Sequence, residues 1–450
     1  MKKIFQYIML AVVTIVMASC TSDIEETTAT TAKNNIQLVV GEFPAFGDSQ
    51  TRAIGTPDPG KTSWAVGDEL ILVIANTSYG RHSATFTYNG KSWELTSGEL
   101  VYMEGDPAYI RHVYYAPNYK WEAGILHLKK GKAAGTDECI EGIATITGNG
   151  ETITVSFAEA TRKYSRLRIA TIPNEQITVD TEDFTPAGSS NMERKGNYTL
   201  TSDEKGNAYL YGTFENNSEV TVKYREATLT TYTFSQATKS AKSYALDATV
   251  ISANSAEEIK SAIEQKVADG KTTIRLNLAP NAGTDEFMAI REAIKGAAPN
   301  DEGTIELTII GVETIPEEAF YNMLQLKSVK MSDVKEIKKY AFEKCEYLTV
   351  VEAPSLNKLN SGAFKKCDQL SKLTFGPINY ADERNWPIFE YIITQSIYLI
   401  LSDYQKEMIE TDSYLFTANN DRDYAGSVEH NSKKFLGYEF KSITCRYPVE

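Results

Sequence analysis

Two hydrophobic patterns divide this chain. From Ile36 to about Thr249, apolar and polar residues alternate with period two, in runs such as "IQLVVGEF", "ELILVI", "SATFTYNGKSWEL", "ATITGNGETITVSF" and "EVTVKYREATLTTYTF". The runs are rich in Thr, Tyr, Val and Ile and are broken by Asn-Gly and Gly-Asn turns, the pattern of short half-buried strands. Within one of them, Gly148–Asn149–Gly150 predicts a hairpin turn. A dinucleotide loop would need a glycine at position 153 and a helix after it, and Ile153 begins a strand instead. Strands at roughly ten-residue spacing, with no strong helix before residue 255, predict antiparallel β-sandwiches. The region is long for one sandwich. "TRKYSRLRI" starts a fresh strand series near Lys163, so the division predicted is 36–162 and 163–250.

Beyond residue 250 the period changes. "SAEEIKSAIEQKVADG" (Ser255–Gly270) predicts a helix, with Ser255 and Glu258 as a capping box and Ile259, Ala262, Ile263 and Val267 on one stripe. "TDEFMAIREAIKG" (Thr284–Gly296) predicts a second helix, with "TIRLNLAP" as a strand between them. From there the apolar positions recur every 22 residues. Ala319–Phe320, Ala341–Phe342 and Ala363–Phe364 align, as do Val312, Val334 and Leu356; Ile315, Ile337 and Leu359; Leu326, Leu348 and Leu370; Val329, Val351 and Leu373; and Met331, Ala353 and Phe375. A fixed period in this range is the mark of a leucine-rich solenoid, in which no rung can bury its apolar side alone. The division predicted is an N-terminal cap over 251–303, repeats over 304–380 and a C-terminal cap over 381–450. The fold class expected is therefore multidomain and mainly β, with two antiparallel sandwiches followed by a short α/β leucine-rich repeat solenoid with a helical cap.

Met323, Cys345 and Cys367 share one column, which makes it a buried apolar position, since free cysteine packs as a compact hydrophobe. The spacing also admits a Cys345–Cys367 disulfide between adjacent rungs, whose α-carbons would need to lie within about 4.4–6.8 Å. Residues between the apolar strand columns face outward. Ser328, Lys330, Val350, Glu352, Lys372 and Thr374 are thus the candidate ligand face. Over Tyr321–Phe375 there are ten Lys and six Asp plus Glu, a local excess of positive charge on a chain of net charge −14. Such a surface is either a solvated face of mixed charge or a weak site for acidic glycans or acidic protein.

The chain opens "MKKIFQYIMLAVVTIVMASC". A basic pair, an apolar run from Ile4 to Met17, and Ala18–Ser19 before Cys20 form a secretory signal with a lipobox over residues 1–19. Such signals are cleaved before a cysteine that takes a diacylglycerol, so Cys20 is the expected lipidation site, and several acyl chains hold a protein to a bilayer stably. Residues 20–35, "CTSDIEETTATTAKNN", are polar and acidic with nothing to bury and are expected to form a disordered tether. Thr21, Asp23, Glu25 and Glu26 resemble the sorting signals of Gram-negative lipoproteins of the outer membrane, which implies an anchor facing the cell exterior. An acidic chain repels phosphate backbones, so nucleic acid is an unfavourable partner. The histidines (His82, His112, His127 and His430) are scattered, and no metal, cofactor or nucleophile motif is present. Tyr114, Tyr115, Tyr119 and Trp121 are either sugar-stacking rings or sandwich core. The expectation is a protein without catalytic residues, cofactor or metal.

Five stretches resemble known families. "TRA" (Thr51–Ala53), "SWAVGDELILVI" (Ser63–Ile74, with Trp64, Gly67, Asp68 and Leu70) and "VYYAPN" (Val113–Asn118) resemble the fimbrillin-like lipid-anchored surface proteins and pilins, and "SRLRIATI" is similar to the start of that family's second sandwich. That likeness covers about residues 36–250. It implies transthyretin-like sandwiches, neighbouring fimbrial subunits as partners, and an Arg-directed cut for which Arg52 is the matching position. The phrase "I-P-x-x-A-F…C-x-x-L-x-x-V" resembles the BspA-type leucine-rich repeat of bacterial surface proteins. Together they imply a surface adhesin or binding protein for host matrix protein or glycan, or alternatively a pilus subunit or tip matured after Arg52.

Overall fold

The computed structural model describes residues 30–31, 37–44, 46, 61–76, 80–99, 101–102, 109–147, 152–156, 162–253, 255–381, 387–402, 434–436 and 438–446. Cys20, Arg52, the Gly148–Gly150 turn and His430 lie outside them.

The first unit contains β1 (Gln37–Val40), β2 (Glu69–Asn76), β3 (Gly80–Tyr88), β4 (Trp93–Gly98), β5 (Tyr109–Tyr115), β6 (Tyr119–Glu122), β7 (Ile125–Leu128), β8 (Ile140–Thr147) and β9 (Thr152–Ser156). Hydrogen bonding runs β1-β9-β8-β5-β2-β3-β4. β8 crosses between layers: Ile140–Gly142 pair with β5 and Ile143–Thr147 pair with β9. The two ends of this path meet in one core, where Leu38 of β1 joins Leu70, Leu72, Ile74, Phe86, Trp93, Val113, Tyr115, Ile153 and Val155. Alternate residues of β2, β3 and β5 supply that core because successive strand side chains point to opposite faces. The β6–β7 hairpin brings Trp121 against Tyr114, ring centroids 5.9 Å apart, while Tyr115 and Tyr119 are buried.

The second unit contains β10 (Ser165–Ala170), β11 (Gln176–Pro186), β12 (Glu193–Thr201), β13 (Asn207–Phe214), β14 (Glu219–Tyr224), β15 (Ala227–Thr233) and β16 (Ser243–Asp247). The order is β15-β14-β11-β13-β10-β16, with β12 also on β11. β11 turns the corner. Thr178–Thr181 pair with β14 and Phe184–Pro186 pair with β13, and between them Asp183 has φ 48°. Around this corner Leu167, Val179, Phe184, Phe214, Val222 and Phe234 close a second core. The sequence predicts antiparallel sandwiches, and most strand pairs are antiparallel. Each sandwich also carries one parallel pair, β1 with β9 and β10 with β16. These pairs join the first and last strands of a unit, which no local pattern can register.

The third unit begins at β17 (Ile251–Ser252), α1 (Ala256–Ala268), β18 (Thr273–Asn277) and α2 (Thr284–Ala297). Ser255 caps α1 by accepting from Glu258 N. Gly283 N at the start of α2 donates to Glu286 Oε2 at 2.8 Å. Then come β19 (Ile305–Ile310), β20 (Leu326–Met331), β21 (Val350–Ala353), β22 (Lys372–Phe375), β23 (Tyr398–Ser402) and β24 (Ser442–Arg446), which with β17 and β18 form one parallel eight-stranded sheet. A second sheet stacks Thr314–Ile315, Glu336–Ile337, Lys358–Leu359 and Tyr380–Ala381.

Every aligned column is buried. Ala341, Ala363, Phe320, Phe342, Phe364, Val329, Val351 and Leu373 have no measurable exposure. The phenylalanines stack along the axis, Phe320–Phe342 at 5.1 Å, Phe342–Phe364 at 5.4 Å and Phe364–Phe389 at 5.8 Å between ring centroids, and Phe287 of α2 meets Phe320 edge-on at 5.7 Å. The repeat geometry continues past residue 380. Phe364 N donates to Ile388 O as Phe342 N does to Ala363 O, which places Ile388–Phe389 in the Ala–Phe column. The step there is 25 residues rather than 22, so the periodic alignment loses it. β23 and β24, read from sequence as a closing cap, extend the same parallel ladder.

The modules are joined by buried contacts. Between the sandwiches, Tyr119 Oη donates to Ala187 O at 2.8 Å and Tyr211 N to Gly135 O at 2.7 Å. Gly135 has φ 78°, and a β-carbon there would lie 2.8 Å from Tyr211 O. Arg162, fully buried, pairs with Glu138 at 2.9 Å and donates to Pro44 O at 2.6 Å; Tyr164 Oη also donates to Glu138. Between the second sandwich and the solenoid, Arg275 Nε donates to Leu229 O at 2.6 Å, Lys266 Nζ to Thr249 Oγ1 at 2.7 Å, and Ile310 enters the sandwich core.

Candidate ligand face of the repeat module

The register of the long sheet turns its outward residues into two rows. One runs Glu306, Ser328, Val350, Lys372, Tyr398, Ser442; the other runs Thr308, Lys330, Glu352, Thr374, Ile400, Thr444. Neighbouring positions in a row are about 4.8 Å apart, the spacing of paired strands. All six residues singled out from sequence, Ser328, Lys330, Val350, Glu352, Lys372 and Thr374, stand together on this face and are partly exposed. Their alternation with buried Val329, Val351 and Leu373 is what aims them outward.

The second sandwich covers the start of the face. Arg275, which precedes Thr308 in its row, is buried and bonded to Leu229 O, and Thr308 is also buried. In that row the open part therefore begins at Lys330, whereas in the other row Glu306, its side chain 45% exposed, is already open. Tyr398, 46% exposed, and Ile400 extend it, with Lys441 Nζ lying 4.4 Å from the Tyr398 ring centre. These additions were not identified from sequence because they follow the longer rung.

Part of the local excess of lysine is neutralised in place. Glu352 sits between Lys330 at 3.7 Å and Lys372 at 3.2 Å. Lys327 pairs with Glu306 at 2.8 Å and Lys335 with Glu313 at 2.6 Å. Exposed pairs of this kind contribute only about 0–1 kcal/mol to folding. They leave a face of fixed, alternating charge flanked by Val350, Tyr398 and Ile400, suited to hydrogen bonding and apolar contact.

The thiols serve packing. Cys345 and Cys367 are free and fully buried. Cys345 Sγ donates to Phe320 O at 3.1 Å and Cys367 Sγ to Phe342 O at 3.0 Å, each satisfying a carbonyl of the preceding rung. Burial and the adjacent Cys345 push the Cys367 thiol well above its ordinary range, away from the nucleophilic thiolate.

The histidines stay apart: His112 pairs with Glu141 at 2.5 Å, while His82 lies 3.9 Å from Glu99. Among the described residues, no group of three or more His, Cys, Asp or Glu is placed to hold a metal ion. An open groove of about 670 Å³ lies where Arg225, in the β14–β15 turn, meets Pro280, Gly311, Glu313, Asp333 and Lys335 of the solenoid. Four of those groups are committed to one another, Asp333 to Gly311 N at 2.8 Å and Lys335 to Glu313 at 2.6 Å.

Residues 304–417 match the BspA type leucine rich repeat region, in six copies. The back of the chain thus carries a BspA-type repeat module. The crystal structure of GBS52, the minor pilin of the Gram-positive pathogen Streptococcus agalactiae, is similar over 48% of this chain and 94% of that one, at 10% identity and a TM-score of 0.18. No curated protein matches the chain.

Proposed function

We propose that this chain is a non-catalytic, lipid-anchored surface protein. Cys20 holds it to the outer membrane, facing the cell exterior. The two sandwiches, read as fimbrillin-like, form a stem, and the repeats engage a host matrix protein or glycan. The single observation that carries the reading is the pair of in-register side-chain rows, one covered up to Thr308 and open from Lys330, the other open from Glu306 onward. A polysaccharide or an extended peptide is itself a repeating ligand, and rows of regular spacing offer it several contacts at once.

The test is a matrix-protein and glycan array probed with the full chain and with a Lys330→Ala, Glu352→Ala, Lys372→Ala variant. The charges lie outside the core, so folding survives. Binding by the wild type that falls at least about tenfold in the variant, on the order of 1.4 kcal/mol, supports the reading. Equal binding by both sinks it.

A second reading, a fimbrial subunit or tip matured by cleavage after Arg52, is favoured by one feature. β1 and Phe43 both precede Arg52, and both belong to the first core, with Phe43 edge-on to Trp64 at 4.9 Å and to Tyr115 at 5.3 Å. Release of this segment would open an edge that a strand of another subunit could fill. Mass spectrometry of the surface form decides between them: a chain starting at Ala53 supports the subunit, and an acylated Cys20 start alone dismisses it.

A further inference from the structure

We propose that both sandwiches are arranged to carry tension along the chain without unfolding, a property that rests on the stem reading above and names what that stem does. In the first sandwich the chain enters at the N-terminal end of β1 and leaves from the C-terminal end of β9. These strands are parallel neighbours, Gln37 to Thr152 through Val40 to Val155, with Gly41 N donating to Val155 O at 2.8 Å. Entry and exit therefore lie at opposite ends of one ladder. The second sandwich repeats the arrangement with β10 and β16, Arg166 to Ser243 through Ala170 to Asp247.

Pulling on such a unit from its two ends slides the paired strands along each other. All the hydrogen bonds of the ladder lie across the direction of slip and must fail together. Were entry and exit at the same end, the bonds would open one at a time. Forced unfolding is governed by the barrier to the first failure, so the sliding geometry raises it without requiring a larger equilibrium stability.

Further contacts lie along the same path. The ladder of the second sandwich continues beyond its strands: Ala241 N donates to Tyr164 O at 2.8 Å, Arg166 N to Lys242 O at 2.9 Å and Ala248 N to Ala170 O at 2.8 Å. Arg166 Nε adds a side-chain bond to Ser243 Oγ at 3.0 Å. Between the sandwiches, Arg162 ties Pro44, just past β1, to Glu138. Beyond β16 only Ala248–Val250 intervene before β17, which is already part of the solenoid sheet. The joint at Ala248–Val250 is thus short, and the Arg162 contacts fasten the described residues on either side of the first joint.

Single-molecule force spectroscopy on the full chain tests this with two attachment schemes. In one, handles sit at the two termini. In the other, the second handle is a non-natural residue replacing exposed Lys239, just before β16, so that the β10–β16 ladder is pulled from one end. The event of the second sandwich is recognised by its contour-length gain. We expect its rupture force to be at least about twofold higher between the termini than with the Lys239 handle, because one geometry shears the ladder and the other unzips it. Equal forces overturn the proposal. No ligand is involved, so that result would leave the adhesin reading standing. A strong ladder on a chain whose array binding ignores the repeat face would remove the adhesin reading and leave this one.

Discussion

The front and back halves of this molecule solve the same problem, burying β-strands, in opposite ways. Each sandwich is closed: its first and last strands pair, its corner strand passes between layers, and its core is assembled from residues far apart in sequence. The solenoid is open-ended, and each rung meets only its neighbours along the axis. A closed unit gains rigidity and a defined entry and exit for the chain. An open stack gains a surface that repeats. The difference is what the proposed tasks of holding and presenting draw on, and it makes the responses of the two halves to damage distinguishable.

The largest expected effects come from removing one buried keystone in each half. Phe342→Ala takes a ring from the middle of the stack and is expected to cost about 3–5 kcal/mol. The loss should spread to both neighbouring rungs, seen as hydrogen exchange rising across residues 326–375 while the second sandwich stays protected. Exchange confined to the mutated rung would break the nearest-neighbour picture. In the front half, Arg162→Ala leaves Glu138 buried without its cation and is expected to cost about 3–5 kcal/mol. Its thermal transition should fall while that of the repeats holds.

Smaller effects sharpen the contrast. Thiol labelling at pH 7 should find Cys345 and Cys367 unreactive until the rungs open. Cys139 should also be slow, since burial, then Glu138 and Glu141, push its thiol up to about 12. Rapid labelling of Cys345 or Cys367 in the native state would show that the rungs breathe independently. At the joint between the halves, burial alone would raise the Asp247 carboxyl. Two hydrogen bonds from Thr249 and the charges of Lys266 and Arg275 outweigh it and hold the group below its ordinary 3.8. A depressed carboxyl stabilises the fold above its unfolded value and loses that contribution as pH falls through the folded value. Asp247→Asn should therefore cost on the order of 1 kcal/mol at pH 7 and progressively less below pH 3.8, where the wild type loses the same contribution, as measured by denaturant unfolding against pH.

The back half was far more legible in sequence than the front. A column such as Ala319, Ala341, Ala363 repeats its own evidence, and outward Lys330 and Glu352 follow from buried Val329 and Val351 by alternation alone. What escaped was whatever broke the period or the composition rule. The rung ending in Phe389 is three residues longer. The left-handed backbone at Glu318, Tyr340 and Gly362, and at Asn322, Lys344 and Lys366, recurs in register with φ between 54° and 64°, yet only one of those six positions is glycine. In the sandwiches alternation identified strands but not partners. The pairing of β1 with β9, the corner at Asp183 and the burial of Arg162 all depend on contacts remote in the chain.

The claim that the repeats present an exterior face is tested most directly by comparing array binding of the full chain with that of its Lys330→Ala, Glu352→Ala, Lys372→Ala variant at matched folding. The account predicts that a matrix protein or glycan captured by the wild type is lost from the variant. Retention of that ligand by the variant would contradict it.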